Sequence, residues 1–459
     1  MDEPDVGGRS LWADQLSDGD TRRAPLGGDL EVDVAIVGAG YTGLWTALAL
    51  LRRDPGIRVI VVERESVGFG ASGRNGGWCV GELAGGLHGA VALGGRDAGI
   101  AMTRAIIDTV DEVGLAVVAE EIDCGFVRGG VIRVARTRPQ LERQRAEIED
   151  HRRYGFGDDV LRSLDINEAT SRLAATDVVG GVHFAACARV QPLRLARGLG
   201  AAVERRGGAI VEGTAVLDIV DGRVVTEHGT VRADVVVRAT EAYTRDLPGR
   251  RRDLVPLYSL MIATEPLPDE AWEEIGLREM ETFADDRRMV VYGQRTADGR
   301  IAFGGRGAPY RFGSGIDTAT ESSRAVHDRI AATLRAMIPA VGDAAITHRW
   351  GGVLGVPRDW QPSVGLDRAT GRAWAGGYVG EGVAAANLAG RTLADLIQGV
   401  DSDLVALPWV GHRSRRWEPE PVRWAAIDAT RRLAGWIDRR EAKTQRTPRV
   451  AAVLDRLVG

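Results

Sequence analysis

The sequence predicts an α/β protein in which a parallel sheet with flanking helices is interrupted by an inserted antiparallel sheet and followed by a helical tail. Three stretches support this prediction. They are a strand–glycine turn–helix–strand unit at residues 33–64, a three-strand meander at 215–240 and a strand–glycine turn–helix at 373–398. Strands that alternate with helices form parallel sheets, whereas consecutive short strands joined by tight turns form antiparallel ones.

The first unit carries a pattern typical of nucleotide binding. Residues 34–37 are an unbroken apolar run, as expected for a strand buried on both faces. Gly38, Gly40 and Gly43 follow in GxGxxG spacing, which permits a tight turn, a close pyrophosphate and a closely packed helix. The next strand ends at Glu63, at the spacing where a carboxylate binds a ribose diol. The unit therefore predicts a dinucleotide site; the alternative, a glycine-rich loop on an ordinary βαβ unit, leaves Glu63 unexplained.

Composition excludes several classes of protein. With 459 residues, 44% of them hydrophobic, the chain is long enough for two or more domains, and a net charge of −5 argues against a nucleic-acid partner. Cys79, Cys124 and Cys187 have neither zinc-ligand nor disulfide spacing, so no metal is expected. Lys443 is the only lysine, which argues against Schiff-base chemistry.

The termini and the hydropathy pattern bear on location. The first thirty residues are mostly polar with both signs of charge, so we expect no signal peptide. No apolar run reaches the ~20 residues that span a bilayer. A reducing, cytoplasmic location is the expectation. Residues 10–12 are expected to belong to a loose terminus, with anchoring against the body as the alternative.

Two more glycine-rich stretches indicate close contact between backbone and ligand. In residues 68–79, Arg74 and Asn75 lie among glycines directly after the dinucleotide unit, and a plain flexible loop is the alternative. Gly380 and Gly382 frame the start of a later helix, whose N-terminus would suit a partly negative ligand group. A strand-to-helix turn without a ligand is the alternative there.

Four stretches together resemble the FAD-dependent D-amino-acid-oxidase-like superfamily. They are VDVAIVGAGYTGLWTALAL, GFGASGRNGG, the meander ending in VRATEAYT, and GGYVGEGVAAANLAGR, and the resemblance extends from about residue 30 to 400. GASGRNGG and GYVGEGVAAANLAGR are most similar to the bacterial branch that contains gamma-glutamylputrescine oxidase and aminophosphonate oxidoreductases. The resemblance implies a two-dinucleotide Rossmann-like FAD-binding domain, an inserted antiparallel β-sheet substrate domain and a helical C-terminal tail.

The resemblance also implies domain boundaries and cofactor contacts. The FAD-binding domain would comprise residues 30–96, 176–250 and 345–405, the substrate-binding domain 97–175 and 251–344, and the tail 406–459. The implied FAD contacts are Gly38, Gly40, Tyr41, Thr42, Gly43, Glu63, Arg64, Ser72, Arg74, Asn75, Gly76, Gly77, Val216, Thr240, Gly380, Glu381, Gly382 and Val383.

The implied reaction is oxidation of a carbon–nitrogen bond by hydride transfer to flavin N5. The product is an imine that hydrolyses to a carbonyl compound, with hydrogen peroxide if oxygen is the acceptor. The sarcosine-oxidase branch uses a lysine beside the flavin, whereas here Arg74, Arg306 or Arg349 would have to supply the positive charge, or electrons would pass to another acceptor. The branch with a flavin-linked cysteine carries it late in the chain, but the last cysteine here is Cys187, so noncovalent FAD is expected.

Amine oxidation of this kind needs flat walls that aim a C–H bond and exclude water. Our candidates are Trp78, Tyr258, Trp350 and Tyr378, with Arg306 for an acidic group of the substrate. The expected partners are a small-molecule amine and oxygen or another acceptor, without nucleic acid or a membrane span. A flavin dehydrogenase, a flavin hydroxylase that uses a nicotinamide coenzyme, and a flavoprotein without turnover remain alternatives. The substrate and the oligomeric state stay open.

Overall fold

The computed structural model describes residues 10–16, 22–220 and 222–458. Its strands are β1 (Leu30–Val37), β2 (Val59–Val62), β3 (Trp78–Val80), β4 (Val131–Ala135), β5 (Leu161–Leu164), β6 (Gly180–Phe184), β7 (Cys187–Arg189), β8 (Ala209–Val211), β9 (Val216–Val220), β10 (Arg223–Thr226), β11 (Gly229–Arg238), β12 (Val255–Thr264), β13 (Thr282–Asp285), β14 (Val291–Arg295), β15 (Ile301–Arg306), β16 (Ile346–Val356), β17 (Ser363–Asp367) and β18 (Arg372–Gly376). Its helices are α1 (Leu11–Asp14), α2 (Tyr41–Arg53), α3 (Gly86–Gly94), α4 (Arg96–Ala119), α5 (Arg138–Arg153), α6 (Ile166–Arg172), α7 (Pro192–Arg205), α8 (Asp269–Ile275), α9 (Thr318–Glu321), α10 (Arg324–Met337), α11 (Gly382–Gln398), α12 (Val422–Thr444) and α13 (Ala451–Val458).

The first sheet has the order β17-β18-β11-β1-β2-β8, with β9 and β10 extending from β11. Strands β18, β11, β1, β2 and β8 pair in parallel, so their carboxyl ends lie at one edge. The predicted meander is confirmed: β9, β10 and β11 pair antiparallel, and β11 then enters the sheet beside β1. Ligands bind outside the carboxyl edge of such sheets, and the glycine turns that follow β1 and β18 lie there.

Helices α2 and α11 pack against each other beside this sheet. Both are predominantly buried and rich in small residues. A Cβ on Gly390 would lie 2.8 Å from the backbone nitrogen of Thr46, so the two helices approach closely at this glycine. The close packing fixes the N-termini of both helices, which follow the two glycine turns.

The second sheet has the order β16-β12-β15-β14-β13-β4-β6-β5. All its neighbours pair antiparallel except β4 and β13, which are parallel. Helix α10 covers one face with Val326, Ile330 and Leu334. The mixed α/β architecture with a second, largely antiparallel sheet agrees with the predicted fold class.

Three elements lie across the expected domain boundaries. Strands β6 and β16 fall in the ranges assigned to the FAD-binding domain, yet they pair in the second sheet. Helix α4 falls in the substrate-domain range, yet it packs against α11. The boundaries follow strand pairing and helix packing over long sequence separations, which local patterns do not encode.

Both ends of the described chain pack on the body. The expectation of a loose terminus is wrong for residues 10–12, because Leu11 and Trp12 are buried and the indole of Trp12 donates to the carbonyl of Asn75 at 2.9 Å. Helix α12 is tied to α5 by an ion pair between Glu441 and Arg143 at 3.0 Å. Among the described residues, no helix is long and apolar enough to cross a membrane.

Candidate active site

A long cleft, here called the glycine cleft, lies at the carboxyl edge of the first sheet. Its wall combines the turns after β1, β2, β11 and β18 with the N-terminal turns of α2 and α11. The predicted cofactor residues that line it are Gly38, Gly40, Tyr41, Thr42, Glu63, Arg64, Ser72, Asn75, Val216, Thr240, Gly380, Gly382 and Val383.

The turn after β1 has no room for side chains. Gly38 has a φ of +107°, and a Cβ there would lie 2.6 Å from the carbonyl oxygen of Ala239. A Cβ on Gly40 would lie 2.9 Å from Ser72 Oγ, and one on Gly43 would lie 2.0 Å from the carbonyl oxygen of Gly38. The turn therefore carries no side chains that would cover the N-terminus of α2, where amide groups favour a bound anion such as a pyrophosphate.

Glu63 is held at one end of the glycine cleft by two backbone amides. Its Oε2 accepts a hydrogen bond from Ala39 at 2.8 Å, and its Oε1 accepts one from Glu65 at 2.9 Å. Burial raises the pKa of this carboxyl, and the two amides act against that rise. The carboxylate is thus oriented beside the turn, as a ribose diol would require.

The opposite end of the cleft is shaped by the turn after β18. The hydroxyl groups of Tyr378 and Thr42 lie 3.0 Å apart, which joins this turn to α2. Glu241 accepts a hydrogen bond from the amide of Gly377 at 2.8 Å. Burial raises the pKa of Glu241 to about 7. Gly380, with a φ of +118°, then leads into α11.

A second space, here called the side cavity, adjoins this end of the glycine cleft and has a volume of about 450 Å³. It lies between the second sheet and the turn that precedes α11. The two spaces share five lining residues, namely Ala71, Asn75, Leu354, Gly380 and Val383. The side cavity therefore adjoins this end of the cleft.

The structure separates the predicted substrate-contacting residues. Trp78 and Arg306 line the side cavity, and Tyr378 lines the glycine cleft. Tyr258 and Trp350 line neither space, so they do not form the predicted walls. Tyr258 points to the face of its strand that α10 covers, and its hydroxyl bonds to the backbone of Asp317. Trp350 is buried under the N-terminal segment and donates to the carbonyl of Arg74 at 2.9 Å.

Five residues expected to contact the cofactor lie outside the glycine cleft. Arg74, Gly76 and Glu381 line the side cavity instead. Arg74 forms an ion pair with Glu321 at 2.6 Å, and its guanidinium lies over the ring of Phe69. Gly43 is enclosed between α2 and the turn after β1, and a Cβ on Gly77 would lie 2.0 Å from Gln294 Nε2, so both glycines serve close packing.

The sequence patterns did not indicate three of the charged groups of the side cavity. Glu82, Arg133 and Asp286 line it from three distant parts of the chain. Arg133 forms ion pairs with Glu147 at 2.7 Å and with Asp286 at 3.6 Å. None of these residues lies in a recognisable motif. The pairing of β4 with β13 brings Arg133 and Asp286 together, and Glu82 comes from the segment after β3.

Comparison with known proteins assigns the family. The model of the family described as DAO, FAD dependent oxidoreductase, matches residues 33–396. The chain belongs to this family. A gamma-glutamylputrescine oxidoreductase of Escherichia coli is 30% identical over 82% of this chain and 85% of its own length. An oxidoreductase named OrdL from Haemophilus influenzae is 28% identical over 86% and 89%. Glycine oxidase from Geobacillus kaustophilus shares the fold, with a TM-score of 0.69 at 21% identity over 83% of this chain and 99% of its own.

The cofactor of the family is FAD, and the glycine cleft fits it. The turn at Gly38 and Gly40 would hold the pyrophosphate. A Cβ at either position would meet its neighbours at less than 3 Å, so the turn has no side chains there that would cover its backbone. Glu63 would bind the adenosine ribose, and the turn from Gly380 to Val383 would hold the flavin ring with the N-terminus of α11. When bound, the flavin supplies a hydride acceptor.

Proposed function

We propose that this chain oxidises a carbon–nitrogen bond of an amine or amino acid with FAD, by hydride transfer to flavin N5. The product is an imine that hydrolyses to a carbonyl compound, and hydrogen peroxide forms when oxygen is the electron acceptor. The observation that carries the proposal is the side cavity, which shares five residues with the flavin end of the glycine cleft. A small substrate there would lie against the ring.

The walls of the side cavity are suited to orienting a small molecule. The rings of Trp78 and Tyr292 meet edge to face with centroids 5.9 Å apart. Trp78 Nε1 donates to the carbonyl of Gly293 at 3.2 Å, and the hydroxyl groups of Tyr292 and Ser259 lie 2.7 Å apart. Fixed aromatic walls restrict the substrate and exclude water, so that its C–H bond can be aimed at the acceptor.

Arg306 is the proposed contact for an acidic group of the substrate. Its Nη2 donates to the carbonyl of Val379 at 2.7 Å, which anchors the guanidinium at the cavity wall. Other N–H groups of the same guanidinium can then bind a carboxylate. Because the relative from Escherichia coli is named for gamma-glutamylputrescine, a gamma-glutamylated polyamine joins aminophosphonates, opines and secondary amino acids as a proposed substrate.

A dehydrogenase that passes electrons to an acceptor other than oxygen is the second candidate. The only lysine, Lys443, lies on α12 and not in the side cavity. Of the arginines considered as substitutes, Arg74 and Arg306 line that cavity, and Arg349 donates to the carbonyl of Ile346.

A reducing, cytoplasmic setting is also part of the proposal, and the three buried free cysteines are compatible with it.

The test is incubation of the FAD-loaded protein with a panel of these amines, in air and with a dye as artificial electron acceptor. We expect one class to yield a carbonyl product, with peroxide in equal amount if the enzyme is an oxidase. A carbonyl product that forms with the dye as acceptor but not with oxygen would indicate a dehydrogenase. Consumption of NADPH without amine oxidation would contradict the proposal and favour a hydroxylase.

A further inference from the structure

Glu381 occupies the junction between the glycine cleft and the side cavity. It precedes α11 as its N-cap residue. Its neighbours Gly380 and Gly382 both line the cleft, whereas the side chain of Glu381 lines the side cavity. A carboxylate at this position faces the substrate space while its own backbone borders the flavin site.

The carboxylate of Glu381 is mostly buried and has no hydrogen-bond or ion-pair partner within the described ranges 10–16, 22–220 and 222–458. The same holds for Glu82, which lines the same cavity. Oδ2 of Asp286, a third carboxylate of this cavity, is buried without a hydrogen-bond partner. Buried carboxylates are normally paired, so this arrangement leaves acceptors directed at whatever enters the cavity.

The charged groups around Glu381 come from several elements. Arg133 on β4 and Arg306 on β15 favour its ionised form, while Glu82, after β3, opposes it. Arg133 is already paired with Glu147 of α5 and with Asp286, and Arg306 is bonded to a carbonyl group. The charge of this carboxylate also acts on Tyr292 of β14 and on Cys187 of β7, whose pKa values it helps to raise. Burial, followed by the charge of Glu82, raises the pKa of Glu381 to about 7.

We propose that Glu381 is the catalytic base that removes the proton from the substrate's ammonium group. The inference rests on the proposed function, because amines are charged in neutral solution and must lose a proton before oxidation. An N–H bond of the ammonium breaks, an O–H bond forms on Glu381, and the electron pair stays on nitrogen. Nothing is oxidised in this step. The freed lone pair then stabilises the positive charge that develops on the adjacent carbon.

Glu381 fits this role better than the other carboxylates. Glu82 also borders a separate cavity beside α3, on the side away from the glycine cleft. Asp286 lies 3.6 Å from Arg133, and this ion pair weakens its carboxylate as a proton acceptor, although burial raises its pKa. Glu381 alone among the three adjoins the glycines of the flavin site. The neighbouring charge of Glu82 would help to hold the incoming cation.

The first test is the pH dependence of anaerobic flavin reduction by a saturating amine that the wild-type enzyme oxidises. We expect the wild-type rate to reach its plateau just above pH 7. In Glu381→Gln the rate at pH 7 should fall by about 100- to 1,000-fold and recover near pH 10, where the free amine loses its own proton. Glu381→Asp should still reach its plateau near neutral pH, at a reduced maximal rate, because it retains a carboxylate.

The second test needs no substrate and no turnover. The infrared absorbance of protonated carboxyl groups in the FAD-loaded protein is followed from pH 5 to 9, in the wild type and in Glu381→Gln. Glu241 titrates near pH 7 in both proteins, so we expect the wild type to show one additional carboxyl titration near pH 7 that the variant lacks. A wild-type titration curve identical to that of the variant would overturn the inference.

The two proposals fail in different ways. An unchanged pH profile of flavin reduction in Glu381→Gln would overturn the role of Glu381 and leave amine oxidation intact. A wild-type flavin that no amine reduces would overturn the proposed function, and the proton transfer with it.

Discussion

Replacing Glu63 by glutamine should weaken FAD binding far more than it weakens the fold. The carboxylate holds two backbone amides at 2.8 and 2.9 Å and is placed to accept the ribose hydroxyl groups as well. Glutamine offers one acceptor oxygen and no charge. Hydrogen bonds to a charged group contribute about 1.5–3 kcal/mol, against about 1 kcal/mol for neutral ones. We therefore expect a loss of about 1–3 kcal/mol, which corresponds to an FAD dissociation constant raised about 5- to 150-fold.

Fluorescence titration of the FAD-free protein with FAD gives the dissociation constant directly, because binding quenches the free flavin. The matched control is Glu65→Gln, which removes the same charge two residues further along the chain. The Glu65 side chain is 40% exposed and, within the part of the chain that the structure describes, its ion-pair partner is Arg64. We expect the control to bind FAD as the wild type does. Equal affinities of Glu63→Gln and Glu65→Gln would refute the assignment of Glu63 to the ribose.

Three further substitutions test packing and charge. Gly43→Ala should lower the free energy of unfolding by about 1–3 kcal/mol, because its Cβ would lie 2.0 Å from a carbonyl oxygen, whereas Gly27→Ala, with open space around it, should not; equal denaturant midpoints would contradict this. Trp12→Ala should lower the free energy of unfolding by about 3–5 kcal/mol and speed FAD release, because Trp12 is buried and bonds to Asn75. Trp424→Ala, at a 40% exposed site, should do neither. An FAD release rate equal to that of the wild type would show that Trp12 does not support the loop at Asn75. The folded-state pKa of Glu241 is raised from 4.5 to about 7, so its ionisation lowers the free energy of unfolding as pH rises through this range. The difference in unfolding free energy between wild type and Glu241→Gln should therefore fall from pH 5 to pH 7 in denaturant titrations at saturating FAD. A difference that stays constant with pH would contradict this prediction.

The cofactor part of the fold was predictable because its signals are local. A Cβ added to Gly38, Gly40 or Gly43 would lie less than 3 Å from a backbone or side-chain atom, so their spacing in sequence reflects a geometric requirement. Glu63 follows a buried strand, and strand pairing brings it beside the first glycine turn. These residues can therefore be predicted from their local sequence, without knowledge of the rest of the chain.

The residues that line the side cavity were less predictable, because the strand register decides which side chains face it. Ser259 lines the side cavity, whereas its neighbour Tyr258 faces the opposite side, since successive side chains of a strand alternate. An aromatic residue at the right place in sequence can therefore lie on the wrong face. Trp350 packs against Trp12, with ring centroids 6.0 Å apart, and that contact joins segments that are far apart in the sequence.

Three charged groups of the side cavity, Glu82, Arg133 and Asp286, carry no local signal. Glu82 and Asp286 are separated by more than two hundred residues, and each is an ordinary acidic residue in its own segment. Glu381 lies within a glycine-rich motif, so the sequence indicated a cofactor contact. The direction of its side chain, into the side cavity, is a property of the folded turn.

Anaerobic titration of the FAD-loaded protein with amines tests the central claim most directly. We predict that one amine class bleaches the visible flavin band with one equivalent of amine per flavin, and that one equivalent of carbonyl product is recovered. A flavin that stays oxidised with every amine of the panel, but is reduced by NADPH, would contradict amine oxidation as the function of this chain.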